Sequence, residues 1–172
     1  DYAKLFLEKN RVQETRDGVN LSLQNTESRV KMLTDLEREM EGFSRSVKTV
    51  VQGVKNGIIK NVEMFGTVSD IIKVPSKYTT AIEVALGNSA QNIITKSEDD
   101  AKRAIEYLKS TKNGRATFLP ISSVRGKVLD ISDIKKSSGF IGVASSLVEN
   151  NPEFNGIINE LLGRTLVFED VD

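Results

Sequence analysis

The chain has 172 residues, no cysteine, no histidine, and 24 basic residues against 24 acidic ones. No disulfide, thiol nucleophile or imidazole ligand is available, and a net charge of zero leaves only a local patch to attract DNA or a membrane. No run approaches the ~18 apolar residues of a membrane span and no signal-peptide core opens the sequence, so a cytoplasmic protein is expected.

The first fifty residues read as one long arm. From Tyr2 to Gln52 there is no proline, and Leu5, Val12, Val19, Leu33, Met40 and Val47 recur on a heptad with Thr26 as its polar member. A second column, Leu23 and Val30 and then Leu36, Phe43 and Val50, changes phase near Val30 and should distort a supercoil there. A helix of that length is a rod of roughly 75 Å. The stripe outlasts what a domain of this size can cover, so 1–52 is expected to be one strand of a coiled coil. Its partner helix must come from another chain or from sequence past Asp172.

After Gly53 the heptad gives way to short mixed elements. Tyr78, Ile82, Ala85 and Leu86 share one helical face that ends at Gly87. Ile93 and Ile94 lie in a short apolar run expected to be a buried strand. Ser97 caps the next helix, with Glu98, Asp99 and Asp100 in its first turn and Ala101, Ala104, Ile105 and Leu108 facing inward. Ala116, Thr117, Phe118 and Leu119 read as a strand stopped by Pro120. Residues 121–138 are polar and are expected to connect two lobes. Pro152 opens a last helix whose buried face is Phe154, Ile157, Ile158, Leu161 and Leu162, and a strand through Leu166, Val167 and Phe168 follows. The fold class is α+β: a first lobe over 53–120, a connector over 121–138 and a second lobe over 139–172.

Chemistry-bearing constellations are weak. Gly126-Lys127 is followed by Val128, so no phosphate-binding loop of the Walker type exists. Glu98, Asp99 and Asp100 read as helix capping, because consecutive helical positions do not converge on one cation. No paired carboxylates sit in an apolar setting that would suit acid catalysis. The expectation is a protein that is not an enzyme and that carries no metal and no cofactor. Arg45, Lys48 and Lys55 fall within about 80° of one another on a helix, and Lys60 extends them. They are candidates for phosphate contact without sequence readout, the alternative being a solvated helix face. Ala116 to Leu119 and Leu166 to Phe168 are candidates for pairing across a dimer interface, the alternative being an interior sheet.

Taken in order, several stretches resemble the hinge domain of bacterial structural-maintenance-of-chromosomes (SMC) proteins. They are Met40-Glu41-Gly42-Phe43, Gly53-Val54-Lys55-Asn56-Gly57-Ile58, Lys77-Tyr78, Ala81 to Gly87 and Gln91 to Ile94. Asp100 to Lys109, Gly114 to Pro120, Gly139 to Ala144 and Leu161 to Thr165 continue the likeness. The resemblance implies a two-lobed hinge that forms a homodimer shaped like a ring, and an antiparallel coiled coil whose second strand returns after the hinge. It implies a glycine-rich dimer segment past the last strand, so that 139–172 is a shortened second lobe. It also implies ATP-binding heads elsewhere in the full-length protein, a role in chromosome condensation and segregation, a chromosome-associated location, and weak DNA contact by the hinge. The rival reading is a nucleic-acid-binding α+β module whose helix is a dimerisation stalk. A ligand-sensing domain on a coiled coil is a third, and would need a defined apolar pocket with convergent polar groups.

Overall fold

A computed structural model describes residues 1–39 and 42–169, with the side chains of 33–39 outside the description. The chain divides into two units, Asp1–Gly42 and Phe43–Asp172. The first is a single helix, α1 (Tyr2–Glu39), about 57 Å long at ~1.5 Å per residue. Its heptad residues Leu5, Val12, Val19, Leu23 and Val30 are all more than half exposed. The later stripe positions Leu33, Leu36 and Met40 lie outside the described side chains.

The long helix expected from the sequence is present, but it does not run to Gln52. Gly42 adopts a positive φ of +89°, and Ser44 then opens a new helix, α2 (Arg45–Lys55), by accepting a hydrogen bond from the Val47 amide. Val47, Val50 and Val51 are buried in the second unit at 2 %, 0 % and 2 % exposure. The boundary therefore falls at Gly42 and Phe43, and residues 43–52 belong to the globular unit. Apolar residues three and four apart serve a coiled-coil seam and a helix lying on its own domain equally well, so periodicity alone runs the two helices together.

The second unit continues through β1 (Met64–Thr67), α3 (Val68–Ile71), β2 (Ile72–Lys73), α4 (Thr79–Leu86), β3 (Ile93–Thr95) and α5 (Glu98–Thr111). Then come β4 (Phe118–Pro120), β5 (Phe140–Val143), β6 (Glu149–Asn150), α6 (Asn155–Leu162) and β7 (Leu166–Phe168). One sheet has the order β1-β3-β4, antiparallel and then parallel; β5 pairs with β7, and β2 with β6, both antiparallel. The parallel β3–β4 pair is joined by α5, the crossover that such a pair requires.

The two lobes share one core. Val68, Ile82, Leu86 and Ile94 from the first pack with Ala144, Phe154, Ile157, Ile158, Leu162 and Val167 from the second. The β2–β6 pair links the lobes directly through Ile72 opposite Asn150 and Lys73 opposite Glu149. The connector is not a free tether. Gly126 N–H donates to Gly156 O on α6 at 3.0 Å, and Leu129 N–H donates to Gly163 O at 2.8 Å.

Candidate dimer edges and basic junction

Two features of the second unit present unsatisfied surface: a basic helix–turn segment at its start, and strand edges at β4 and β7. The first is built on α2. Its inward face is valine, so Arg45 and Lys55 are left exposed, Lys48 is half-buried, and Lys60 is exposed after the helix ends. None of the four makes an ion pair with another described residue. From Arg45 to Val62 these four are the only charged side chains, with no carboxylate among them. The structure thus keeps Arg45, Lys48 and Lys55 on one short helix and sets Lys60 one turn beyond its C-terminus.

That turn is closed by backbone bonds. Asn56 N–H donates to Gln52 O, Gly57 N–H to Val54 O, and both Ile58 N–H and Ile59 N–H to Gly53 O, at 2.9–3.0 Å. Ile59 is buried against Gly53, where an added Cβ would sit 2.9 Å from its Cδ1. The segment that follows is held by α5. Arg103 Nη1 donates to Asn61 O at 2.9 Å, and Glu63 N–H donates to Asp100 Oδ1 at 3.2 Å.

Asp100 also accepts from Ser97 N–H at 3.1 Å and from the Ser97 hydroxyl at 2.5 Å, which closes a capping box. Burial pushes its carboxyl pKa up, but the Ser97 hydroxyl, the Glu63 and Ser97 amides and the Arg103 guanidinium outweigh that and hold it below the ordinary value. Asp99 turns outward to Lys102 at 3.3 Å. The acidic triplet therefore diverges, with Asp100 facing the domain and Asp99 facing solvent. Capping by Ser97 is readable from Ser-x-x-Asp, whereas the reach of Asp100 to Glu63, thirty-seven residues away, has no local signal.

At the edges, β4 is hydrogen-bonded to β3 on one side and to no described strand on the other. Phe118 and Leu119 lie in β4, while Ala116 and Thr117 precede it; Thr117 O accepts from Ile93 N–H at 2.9 Å. Ala116 and Thr117 instead flank an open cleft of about 470 Å³, shared with Ser44, Val47, Gln91 and Arg115. In β7, Val167 is buried in the core, so its side chain is not free to meet a partner, while Leu166 is half-buried. Phe168 is 40 % exposed and stacks edge-on against Phe140, with ring centroids 5.4 Å apart. Among the described strands, both β5 and β7 retain one open edge.

This arrangement matches known proteins. The family of SMC proteins Flexible Hinge Domain matches residues 61–172. The chain belongs to that family. The match is to a hinge and not to a catalytic head, and the recognised region includes α5, both candidate edges and the shared core. The hinge is 41 % identical over 154 residues to the chromosome partition protein Smc of Clostridium kluyveri, covering 88 % of this chain and 13 % of that protein. It is 40 % identical over 153 residues to the Smc of Bacillus subtilis, covering 87 % of this chain and 12 % of that one. Among solved structures, an asymmetric dimer of the Geobacillus stearothermophilus SMC hinge domain superposes with a TM-score of 0.80 at 35 % identity, over 86 % of this chain and 58 % of the other. The Pyrococcus furiosus SMC hinge domain superposes with a TM-score of 0.60 at 32 % identity, over 79 % of this chain and 68 % of the other. Among the described residues, no helix is long and apolar enough to cross a membrane.

Proposed function

We propose that this hinge homodimerises and so joins two coiled-coil arms of a chromosome condensation and segregation ATPase, acting in the cytoplasm on the chromosome. The observation that carries the reading is the pair of open strand edges, β4 and β7, on a fold that superposes on a hinge crystallised as a dimer. Main-chain pairing across such edges supplies affinity without a catalytic site. The exposed stripe of α1 then takes its partner helix from further sequence of the same protein, the relatives being far longer than this chain. No cofactor is needed for this work. Arg45, Lys48, Lys55 and Lys60 supply a weak phosphate contact at the start of the hinge unit, through charge and not base readout.

Sedimentation equilibrium of the chain and of Phe168→Glu tests dimerisation. Phe168 is 40 % exposed and touches its own chain through Phe140, so an unchanged thermal melt of the variant separates loss of a partner from loss of that contact. The expected result is a dimer whose dissociation constant rises at least tenfold in the variant. A chain that stays monomeric at every accessible concentration, both alone and when extended past Asp172 through the expected glycine-rich segment, would overturn the reading.

A further inference from the structure

We propose that Ile58 is an apolar wedge that enters the minor groove of duplex DNA at a base step and kinks it. This rests on the DNA contact proposed above and gives that contact a specific chemistry. Three features of the turn after α2 converge on it.

First, Ile58 is 60 % exposed while its neighbour Ile59 is 7 % exposed. The buried residue and the two bonds to Gly53 O root the turn on the domain, so the exposed side chain stands on a fixed base. Gly57 has a φ of +69°, which lets the chain reverse directly before it. On the far side, Arg103 and Asp100 tether Asn61 and Glu63 to α5.

Second, the charge of the segment suits a polyanion, the carboxylates at its tether, Glu63 and Asp100, being paired with Lys96 at 2.6 Å and Arg103 at 3.4 Å. Lys55 and Lys60 flank Ile58 in sequence, both exposed, and the stretch from Arg45 to Val62 lacks a carboxylate. The carbonyls of Gln52, Gly53 and Val54 are occupied by amides of the turn, and Lys55 sits in the last helical turn, so the negative end of α2 is offset. Third, Asn56 and Asn61 bracket the tip with amide groups able to donate to and accept from minor-groove edges.

An inserted aliphatic side chain between backbone-contacting cations is the usual arrangement of minor-groove kinking proteins. One isoleucine is too little apolar surface to hold a protein at a bilayer, where stable anchoring takes more than one weak signal. Duplex DNA, with its dense phosphates and a stack that one wedge can open, is the better match.

The test uses the full chain with a short duplex carrying 2-aminopurine at a central TA step and fluorophores at both ends. Wild type is expected to raise the 2-aminopurine signal and to shorten the end-to-end distance. Ile58→Ala, at an exposed position, should bind within about threefold of wild type with the same salt slope but lose most of both signals. Lys60→Ala should instead lower the salt slope by about one and weaken binding. Retention of kinking by Ile58→Ala would overturn the wedge and leave the phosphate contact standing. Absence of any duplex binding by wild type would overturn both. Binding to phosphatidylserine vesicles that is lost in Ile58→Ala, without DNA kinking, would reassign the tip to a lipid surface and overturn the proposal.

Discussion

Asp100 is the side chain on which most of the polar order of the junction converges. It is 7 % exposed and accepts from two amides and a hydroxyl, with Arg103 3.4 Å away and the Lys96–Glu63 ion pair nearby at 2.6 Å. A buried acceptor with this many donors is costly to neutralise, because each N–H would face an uncharged group that is a weaker acceptor. Asp100→Asn keeps the size but offers an NH₂ where donors already point, and should destabilise the domain by about 1–3 kcal/mol at pH 7. The pH dependence has a definite sign. The folded pKa lies below the ordinary 3.8, so the stabilisation is complete above that value and is lost as pH falls through the folded one. Urea melts of wild type and Asp100→Asn should therefore differ at pH 7 and converge below pH 3.8. A gap that persists unchanged into acid would place the cost in packing and not in the carboxylate charge.

At the scale of elements, α1 and α2 carry similar apolar spacing with opposite consequences. Val19 on α1 is 62 % exposed, whereas Val50 on α2 is fully buried. Val19→Ala should leave the denaturant midpoint of the chain within about 0.5 kcal/mol of wild type, while Val50→Ala should cost roughly 2 kcal/mol. Equal effects would mean that the arm stripe already has a partner in this chain. The same pair shows what the sequence could and could not convey. The α5 helix, its Ser97 cap and inward stripe, the Ile93–Ile94 strand and the α6 face were legible because each is written in neighbouring residues. The division at Gly42 was not, since the decisive event is a positive φ followed by a serine cap in a segment whose stripe continues across it. The docking of the connector on α6 was equally hidden. It depends on backbone bonds from Gly126 and Leu129 to Gly156 and Gly163, and a glycine in sequence does not announce which backbone it will approach. Of the candidate site, Arg45, Lys48 and Lys55 were visible as a helical arc with Lys60 beyond it, but the exposed tip at Ile58 required knowing that Ile59 is the buried one.

For the whole molecule, the question is which unit holds two copies together. Among the described residues every buried side chain lies between Ser46 and Val167, so the globular unit carries the whole of the described core and α1 adds none. The two functional readings separate on this point. If the hinge edges make the dimer, removal of residues 1–42 should leave the melting transition of the domain unchanged and the shortened chain still sedimenting at twice its own monomer mass. If instead α1 is a stalk that dimerises a nucleic-acid-binding module, the same truncation should melt alike but sediment as a monomer. Stability is expected to be indifferent in either case, because the deleted helix contributes no described residue to the core. The mass measurement then reads assembly alone, free of any loss of fold. A dimer that survives truncation and fails in Phe168→Glu would assign association to the β5–β7 edge. A dimer that survives both would move it to the unpaired side of β4, where Phe118 and Leu119 run.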